Sequence, residues 1–557
     1  MGRRVLTLAV LWIALSIVAI GVGSGLLRVI RASPIDRPAD ELFFAWWMGV
    51  AALAWASFAL AVVAPLRDAM PWLAVTSCVV AAWGLWRLRD RWRVMRPQAW
   101  ILFVVLAVLL AERSVALGNL EDTGGYHWSI IQWYESYGIP VGLGLFQWRL
   151  ATHSAWLALT ASLDIGILES RVATVANGLV FLGCLWFAAV CASRWIRGCA
   201  TFADRFVLAA FAFLLQLIAK WEMRLSPSPD IPVLFLTVVV CWKMVSDASE
   251  ERLSERNLLT IAMLSVVAMT IKLNALPLAL ACVVLLWMRR DVALRTRIVG
   301  TAWLGAIATP LIVASWTSTG CLLFPAALGC VDGPSAIGAA AARQYAAIIG
   351  ATARNDITQS LVVSLVALAY LYWVRRELPH RAVLGPIAVA LAGSAFTMLV
   401  APTTRFAIGY LTILPALAIA HAAGDTRFTS GVAPRMLSTL RAGVTLVLAI
   451  AIAVPLYKEF IYSSLRTRHF DSWAERKRGD TAINAPNPDW WLLPNRISYG
   501  GVFEPARAAD FDYAVSPQMT CWNRPPPCAS NPPLSALPEV RLRDPNRGLA
   551  GGFIRAR

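Results

Sequence analysis

Lysine is scarce in this 557-residue chain: only Lys220, Lys243, Lys272, Lys458 and Lys477 are lysines among 50 basic residues. Charge as a whole is thin. Asp, Glu, Lys and Arg make up 15% of the residues, against about 25% in a soluble domain. Hydrophobic residues make up 58%, where about 45–50% is usual. A soluble chain of this composition lacks the polar groups to cover its surface, and with a mean hydropathy of +0.61 most of it has lipid as its solvent. That excludes a cytosolic enzyme and a secreted disulfide scaffold. Gly and Pro, at 35 and 31, are not enriched, which excludes collagen-like and low-complexity chains. The five His are scattered and no Cys or His cluster has zinc spacing. There is no G-x-x-x-x-G-K-[ST] or G-x-G-x-x-G run and no repeat of fixed period. The net charge of +17 comes from basic residues set between apolar stretches, not gathered on one soluble domain. It therefore indicates membrane topology and no nucleic-acid partner.

About 20 mostly apolar residues cross a bilayer core. Fourteen such runs begin near Val5, Leu42, Met70, Gln98, Arg171, Phe206, Ile231, Leu258, Ala275, Val299, Ile357, Ala382, Phe406 and Arg441. They predict an all-α polytopic bundle of about 14 spans. The first follows Arg3 and Arg4 but runs to Ile30 without a small-residue cleavage site, so it reads as a span and not as a signal peptide. With the N-terminus outside, the seven short inner loops hold 24 basic residues and the outer segments before residue 458 hold 12. The positive-inside rule thus places segments 118–170, 317–356 and 458–557 outside. Three units are expected: a three-span unit 1–97, a core 98–457 and a tail 458–557.

The inner side has no room for a nucleotide-binding domain, its longest loop running from Gly424 to Arg441. An outward-facing enzyme in such a chain takes its activated substrate from the lipid. The tail carries 12 prolines, which argues for loops and short strands. Two readings of it stand: a cap on the membrane surface, or a platform on which Trp473, Trp490, Trp491 and Trp522 hold sugar rings. Cys521 and Cys528, and Cys321 and Cys330, lie on the oxidising side and are candidate disulfides. Cys78, Cys184, Cys191, Cys199, Cys241 and Cys282 fall in or near spans and read as packing residues.

The first large outer loop opens with Glu121-Asp122-Thr-Gly-Gly-Tyr126-His127. Two adjacent carboxylates stand where a helix leaves the lipid, either as boundary markers or as functional groups. Residues 126–137 read as an interfacial helix with Ile130, Trp133, Tyr134 and Tyr137 along one side. Arg149 and His153 follow. Further ionisable groups recur at outer span ends: Lys220, Glu222, Arg224 and Asp230 in one segment, Lys272 with Asn274, and Arg405. Ionisable groups at membrane depth are expensive and usually functional.

Asp122-Thr-Gly-Gly-Tyr-His127, Ile139-Pro-Val-Gly-Leu-Gly144 with Arg149, Arg224-Leu-Ser-Pro-Ser-Pro-Asp230, Lys272-Leu-Asn274, Phe324-Pro325 and Arg405-Phe406 together resemble a group of bacterial multi-spanning membrane proteins. That group is similar to the GT-C superfamily of membrane glycosyltransferases, which use polyprenyl-phosphate sugars and carry an acidic residue in the first long outer loop. The resemblance covers roughly residues 98–410. It implies a location in the bacterial inner membrane with the active site extracytoplasmic, the side on which the count of basic residues places the tail. It also implies transfer of a sugar from a polyprenyl-phosphate donor to a glycan or lipid acceptor, with Mg or Mn as an optional cofactor. Asp122 takes the place of the catalytic carboxylate, beside Glu121, and Asp230 that of the acidic residue at a later span. In this family the acidic loop follows the first span, whereas here it follows the fourth, as it would if the first three spans were an addition.

On this reading Asp122 accepts the acceptor hydroxyl proton. Lys272, Arg405 and Arg224 bind the donor phosphate, and Tyr126, His127, Arg149 and His153 orient substrate. The rival readings are a transporter or flippase of lipid-linked glycans, which calls for paired pseudo-symmetric halves, and a polymerase or ligase using a pyrophosphate-linked donor.

Overall fold

A computed structural model describes residues 2–94, 97–114, 122–221, 225–249, 254–351, 357–424, 503–516, 521, 524–530 and 539–556. The chain begins with α1 (Gly2–Val29), α2 (Pro38–Val63), α3 (Leu66–Val94) and α4 (Pro97–Ser114). A π-helical turn, Thr123–His127, runs directly into α5 (Trp128–Ser136), followed by the short helices α6 (Leu143–Phe146) and α7 (Ala155–Leu163). Long helices resume with α8 (Val175–Ile196), α9 (Phe202–Trp221), α10 (Asp230–Ser249), α11 (Glu255–Ile271), α12 (Leu276–Met288) and α13 (Leu294–Thr319). After α14 (Gly338–Ala351) come α15 (Thr358–Trp373), α16 (His380–Val400), α17 (Thr404–Leu411) and α18 (Ile413–Ala422).

Eight helical stretches among the described residues are long and apolar enough to cross a bilayer: α1, α2, α3, α8, α10, α13, α16 and the α17–α18 pair. Shorter apolar helices coincide with α4, α12 and α15. The architecture is that of a helical membrane protein, but the expected count of 14 is not reached. The runs beginning near Phe206 and Leu258 are the helices α9 and α11, outside both sets, and the run beginning at Arg441 lies outside the described residues.

Helix ends follow local chemistry. Pro38 opens α2 with Asp40 and Glu41 in its first turn, where a fixed φ and negative charge suit a helix N-terminus. Ser254, Ser154 and Thr403 cap α11, α7 and α17 through their hydroxyls. The first two helices come into backbone contact because their meeting residues lack side chains: a Cβ on Gly23 would lie 1.7 Å from the Ala45 carbonyl oxygen, and one on Gly49 1.8 Å from that of Ala19. The N-terminal helices share the core of the rest: Trp12 donates to the Val175 carbonyl at 2.9 Å and Trp55 to that of Ile307 at 2.8 Å. Helix α10 is central and almost wholly buried, against α8, α9, α11, α16 and α17. Exposed apolar side chains such as Trp72, Val104, Trp303, Val366 and Leu399 form the lipid-facing perimeter.

The two ends of the bundle differ. At one, Arg37 pairs with Asp204 at 2.6 Å, Arg194 with Asp40 at 2.7 Å, and Arg256 donates to the Arg31 carbonyl at 3.2 Å. At the other lie the loops after α4 and α13 and the start of α10. There α5 is buried all round, Trp128, Ile131, Trp133 and Tyr134 each being 1% exposed or less. This corrects the expectation of an interfacial helix: α7 and the tail cover the faces that sequence left open to the membrane surface.

The described tail has two sheets. β1 (Glu504–Arg507) runs antiparallel to β2 (Asp512–Ser516), which pairs in parallel with β3 (Cys528–Ser530); β4 (Val540–Leu542) and β5 (Phe553–Arg555) form an antiparallel pair. It docks on the loops of that end by backbone hydrogen bonds: Phe553 to the Val141 carbonyl, Arg555 to that of Pro334 and Cys521 to that of Gly124, each at 2.8 Å. Phe146 packs among Phe511, Tyr513 and Phe553. Disulfides join Cys321 to Cys330 and Cys521 to Cys528, and the other six cysteines are free. Trp473, Trp490, Trp491 and Trp522 lie outside the described residues.

Candidate functional site

Four segments remote in sequence meet beneath the tail. The π-helical turn supplies Asp122 and His127. With its wider winding, the Trp128 amide bonds to the Thr123 carbonyl five residues back, so that residues five apart share a face. Helix α10 supplies Asp230 at its first position, held there by Ser228, whose hydroxyl bonds to Oδ2 at 3.1 Å. Helix α11 ends at Ile271 and the chain turns extended at Lys272, which frees that side chain to leave the helix. Arg405 lies in the first turn of α17, just after its Thr403 cap.

These residues form an alternating chain of charge. Arg405 donates Nη1 to Asp122 Oδ2 at 2.6 Å and Nε to Asp230 Oδ2 at 2.5 Å. The other oxygen of Asp230 takes the Lys272 ammonium, which also stands 4.0 Å from the Phe406 ring centroid. Asp230 is 1% exposed, whereas Asp122, Arg405 and Lys272 keep 30%, 26% and 23% of their side chains accessible. Asp230 is therefore the fixed centre and the other three are reachable by a ligand. Among the described residues, Arg405 Nη2 has only a 3.4 Å contact with the Ser228 hydroxyl, which leaves the guanidinium a weakly engaged edge.

Burial alone pushes the Asp122 carboxyl up, but Arg405 and His127 outweigh it and hold the group below the usual carboxylate range. It is ionised at neutral pH. Burial drives His127 down to about 4 against the pull of Asp122, so its ring is neutral, and its Nδ1 has no hydrogen-bond partner among the described residues. Burial also raises Tyr126 well above its normal range and Tyr345, on α14, to about 12. Both phenols stay protonated and are available as donors.

The structure brings together Asp122, Asp230, Lys272, Arg405, His127 and Tyr126. Arg149 stands at the rim, its guanidinium carbon 5.9 Å from the Tyr126 ring centroid. His153 is not in the cluster. It is buried between the Tyr134 hydroxyl at 3.1 Å and the Ser318 hydroxyl at 2.8 Å, where it ties the loop before α7 to α13. Glu121 and Arg224 lie outside the described residues, as does Glu222. No group of three His, Cys, Asp or Glu side chains suited to a metal ion occurs among the described residues.

Sequence reasoning missed the support beneath the cluster. Asn177, a lone amide within α8, donates to the carbonyls of Ser226 at 2.5 Å and Ser228 at 3.0 Å and accepts from Trp156 Nε1 at 2.8 Å. The Thr123 hydroxyl donates to that of Ser226 at 2.6 Å. Together they lock the π-helical turn to the start of α10. The signal was an Asn in an otherwise apolar span, the same kind of signal that flagged Lys272. Tyr345 was also missed; it stacks on Phe324 at 5.2 Å and meets Trp148 edge-on at 5.9 Å.

A family model described as a domain of unknown function (DUF8201) matches residues 5–428. No curated protein and no solved structure matches the chain.

Proposed function

The chain belongs to the DUF8201 family, and for this member we propose membrane glycosyl transfer, from a polyprenyl-phosphate-linked sugar to a hydroxyl of a glycan or lipid acceptor. The observation that carries the reading is the Asp122–Arg405–Asp230–Lys272 chain, three of whose members are accessible at one end of the bundle. Burying ions is costly even when they are paired, and such groups at membrane depth commonly serve ligands. On this reading the protein works in the bacterial inner membrane, with the cluster on the extracytoplasmic side, as the uneven distribution of basic residues suggests.

The donor phosphate takes the weakly held edge of Arg405 and the Lys272 ammonium. The acceptor hydroxyl attacks the anomeric carbon opposite the phosphate. A new carbon–oxygen bond forms, the carbon–phosphate-oxygen bond breaks, polyprenyl phosphate departs, and Asp122 receives the hydroxyl proton. The configuration inverts. A positioned base of this kind contributes roughly 10²–10⁴-fold, and fixed cations facing the charge that develops on the leaving phosphate add to it. Phosphate and Asp122 compete for one guanidinium, so donor binding loosens the Asp122 pair and makes that carboxylate more basic when the acceptor arrives. Asp230, held away from bulk solvent, positions both cations.

The test is incubation of the purified full-length protein with a radiolabelled polyprenyl-phosphate sugar and membrane lipid extract. Transfer by the wild type that is lost in Asp122→Asn supports the reading. Transfer unchanged in Asp122→Asn overturns the base assignment, and donor left intact by the wild type across the common envelope sugars overturns the reaction.

A further inference from the structure

One cation beside the charge cluster has no carboxylate to answer it. Arg149 stands on a short 3-10 turn, Trp148–Ala151. The Thr152 hydroxyl fixes that turn by donating to the Arg149 carbonyl at 2.6 Å. The half-buried guanidinium lies 5.9 Å from the Tyr126 ring centroid and makes no ion pair or hydrogen bond among the described residues. Asp122, Arg405, Asp230 and Lys272 balance one another's charge, so Arg149 is an excess positive charge next to them. A charge so placed is costly unless it is paired, which points to an anion that arrives with a ligand.

The neighbours of Arg149 describe that ligand. The charges acting on the Tyr345 phenol are those of Arg149 and Asp122, whereas Arg405 and Lys272 act on His127. Arg149 therefore belongs to the Tyr345 side of Asp122, apart from the cations assigned to the donor phosphate. Tyr345 is 6% exposed, and neither its hydroxyl nor that of Tyr126 makes a hydrogen bond among the described residues. A guanidinium fork and two phenol donors match a carboxylate, whose two oxygens lie in one plane. A single guanidinium also suits a singly charged carboxylate better than a phosphate monoester. Tyr345 is stacked on Phe324 at 5.2 Å and met edge-on by Trp148 at 5.9 Å, so these donors stand beside an aromatic wall. The C–H face of a pyranose ring packs on such a wall. We propose that Arg149, Tyr126 and Tyr345 bind the carboxylate of a uronic acid in the acceptor, which presents its hydroxyl to Asp122. The role of that sugar as acceptor rests on the glycosyl-transfer reading, whereas its binding does not.

Saturation-transfer NMR on the purified full-length protein tests this without turnover. The probes are the methyl glycosides of glucuronic, galacturonic and mannuronic acid, each set against the neutral hexoside that differs only in the carboxylate. At least one uronide should bind about tenfold tighter than its hexoside, the scale of one charge-assisted contact. That preference should vanish in Arg149→Met. It should fall about threefold in Arg149→Lys, which keeps the charge but not the fork, and in Tyr345→Phe. Melting curves identify the variants that fold. No preference for any uronide, or a preference unchanged in the folded Arg149 variants, overturns the proposal, as does displacement of the bound uronide by equimolar inorganic phosphate. Transfer assays on the same preparations separate the two readings: uronide binding retained while no donor is consumed overturns the reaction and leaves the acidic-sugar site standing.

Discussion

Arg405 and Asp122 meet in an ion pair at 2.6 Å while the same guanidinium holds Asp230 at 2.5 Å, and the two carboxylates are not equivalent. Asp230 is sealed between Arg405 and Lys272, whereas Asp122 faces the open side. Asp230→Asn leaves Lys272 without its counter-charge and Arg405 with Asp122 alone. Losing one partner of a buried pair costs about 3–5 kcal/mol, an upper figure here because both cations are about a quarter exposed. Asp122→Asn keeps the shape and a hydrogen-bond acceptor at an accessible site. Thermal unfolding in detergent should show a large drop for Asp230→Asn and little change for Asp122→Asn, while transfer falls by roughly 10²–10⁴ in the latter. Equal melting losses in the two variants would contradict the assigned roles.

Two neutral histidines make the fold acid-sensitive. Burial lowers His127 to about 4 and His153 to about 3, while an unfolded chain takes up these protons near pH 6.5. Below that pH the unfolded state binds more protons, so stability falls as the pH drops from about 6.5 towards 4 and is complete above it. His153→Gln should flatten part of this loss without altering activity at neutral pH. His127→Gln should flatten another part and also raise the KM for substrate, because its orphaned Nδ1 belongs to the cluster. Melting curves collected at intervals from pH 4 to pH 8 measure both.

Much of the site could be read from the chain because its chemistry is expensive in lipid. Asp122, Asp230, Lys272 and Arg405 interrupt apolar runs and therefore draw attention. His153 follows the same cue yet lies apart from the cluster, hydrogen-bonded to Tyr134 and Ser318, because a polar side chain in a loop signals only that a partner exists and not which one. Asn177 and Tyr345 were passed over for the converse reason: one amide or one phenol in a greasy stretch is a weak signal, and only tertiary geometry puts it under a charge cluster. Among the described residues the span count departs from the sequence reading at the short helices. A run of apolar residues sets hydropathy, while proline, caps and packing set where the helix stops, as with α12, which spans only Leu276–Met288.

The tail is held to the loops around Val141 and Gly142 by an interface that tolerates no side chain. Gly552 adopts φ +86°, and a Cβ there would lie 2.4 Å from the Val141 carbonyl oxygen; Gly142 adopts φ +70°, and its Cβ would lie 2.3 Å from the Phe553 carbonyl oxygen. Both positions demand the left-handed backbone that glycine accepts without cost. Gly552→Ala should release β5 from the loop at Val141. Limited proteolysis should then cleave between β4 and β5 many times faster than in the wild type, with the helical bundle still folded. An unchanged cleavage rate would show that docking rests elsewhere.

Glu135 on α5 and Asp164 after α7 are buried together, and among the described residues Glu135 Oε1 and Asp164 Oδ1 have no hydrogen-bond donor when both groups are ionised. Burial pushes both carboxyls up, Asp164 to about 7, and each raises or shares the proton of the other; Arg67 and Glu169 are the further charges felt by Glu135. The pair is satisfied when it holds one proton. A carboxyl whose pKa is raised on folding contributes stability below its unfolded value near 4, and that contribution is lost as the pH rises through about 7. This trend is opposite in sign to that of the two histidines, so the variants separate them. Asp164→Asn supplies a permanent N–H towards Glu135 and removes one charge. It should raise the melting temperature at pH 8 relative to the wild type and leave it nearly unchanged at pH 5, where the wild-type pair already holds its proton. A variant less stable than the wild type at pH 8 would mean that the two carboxylates coexist ionised.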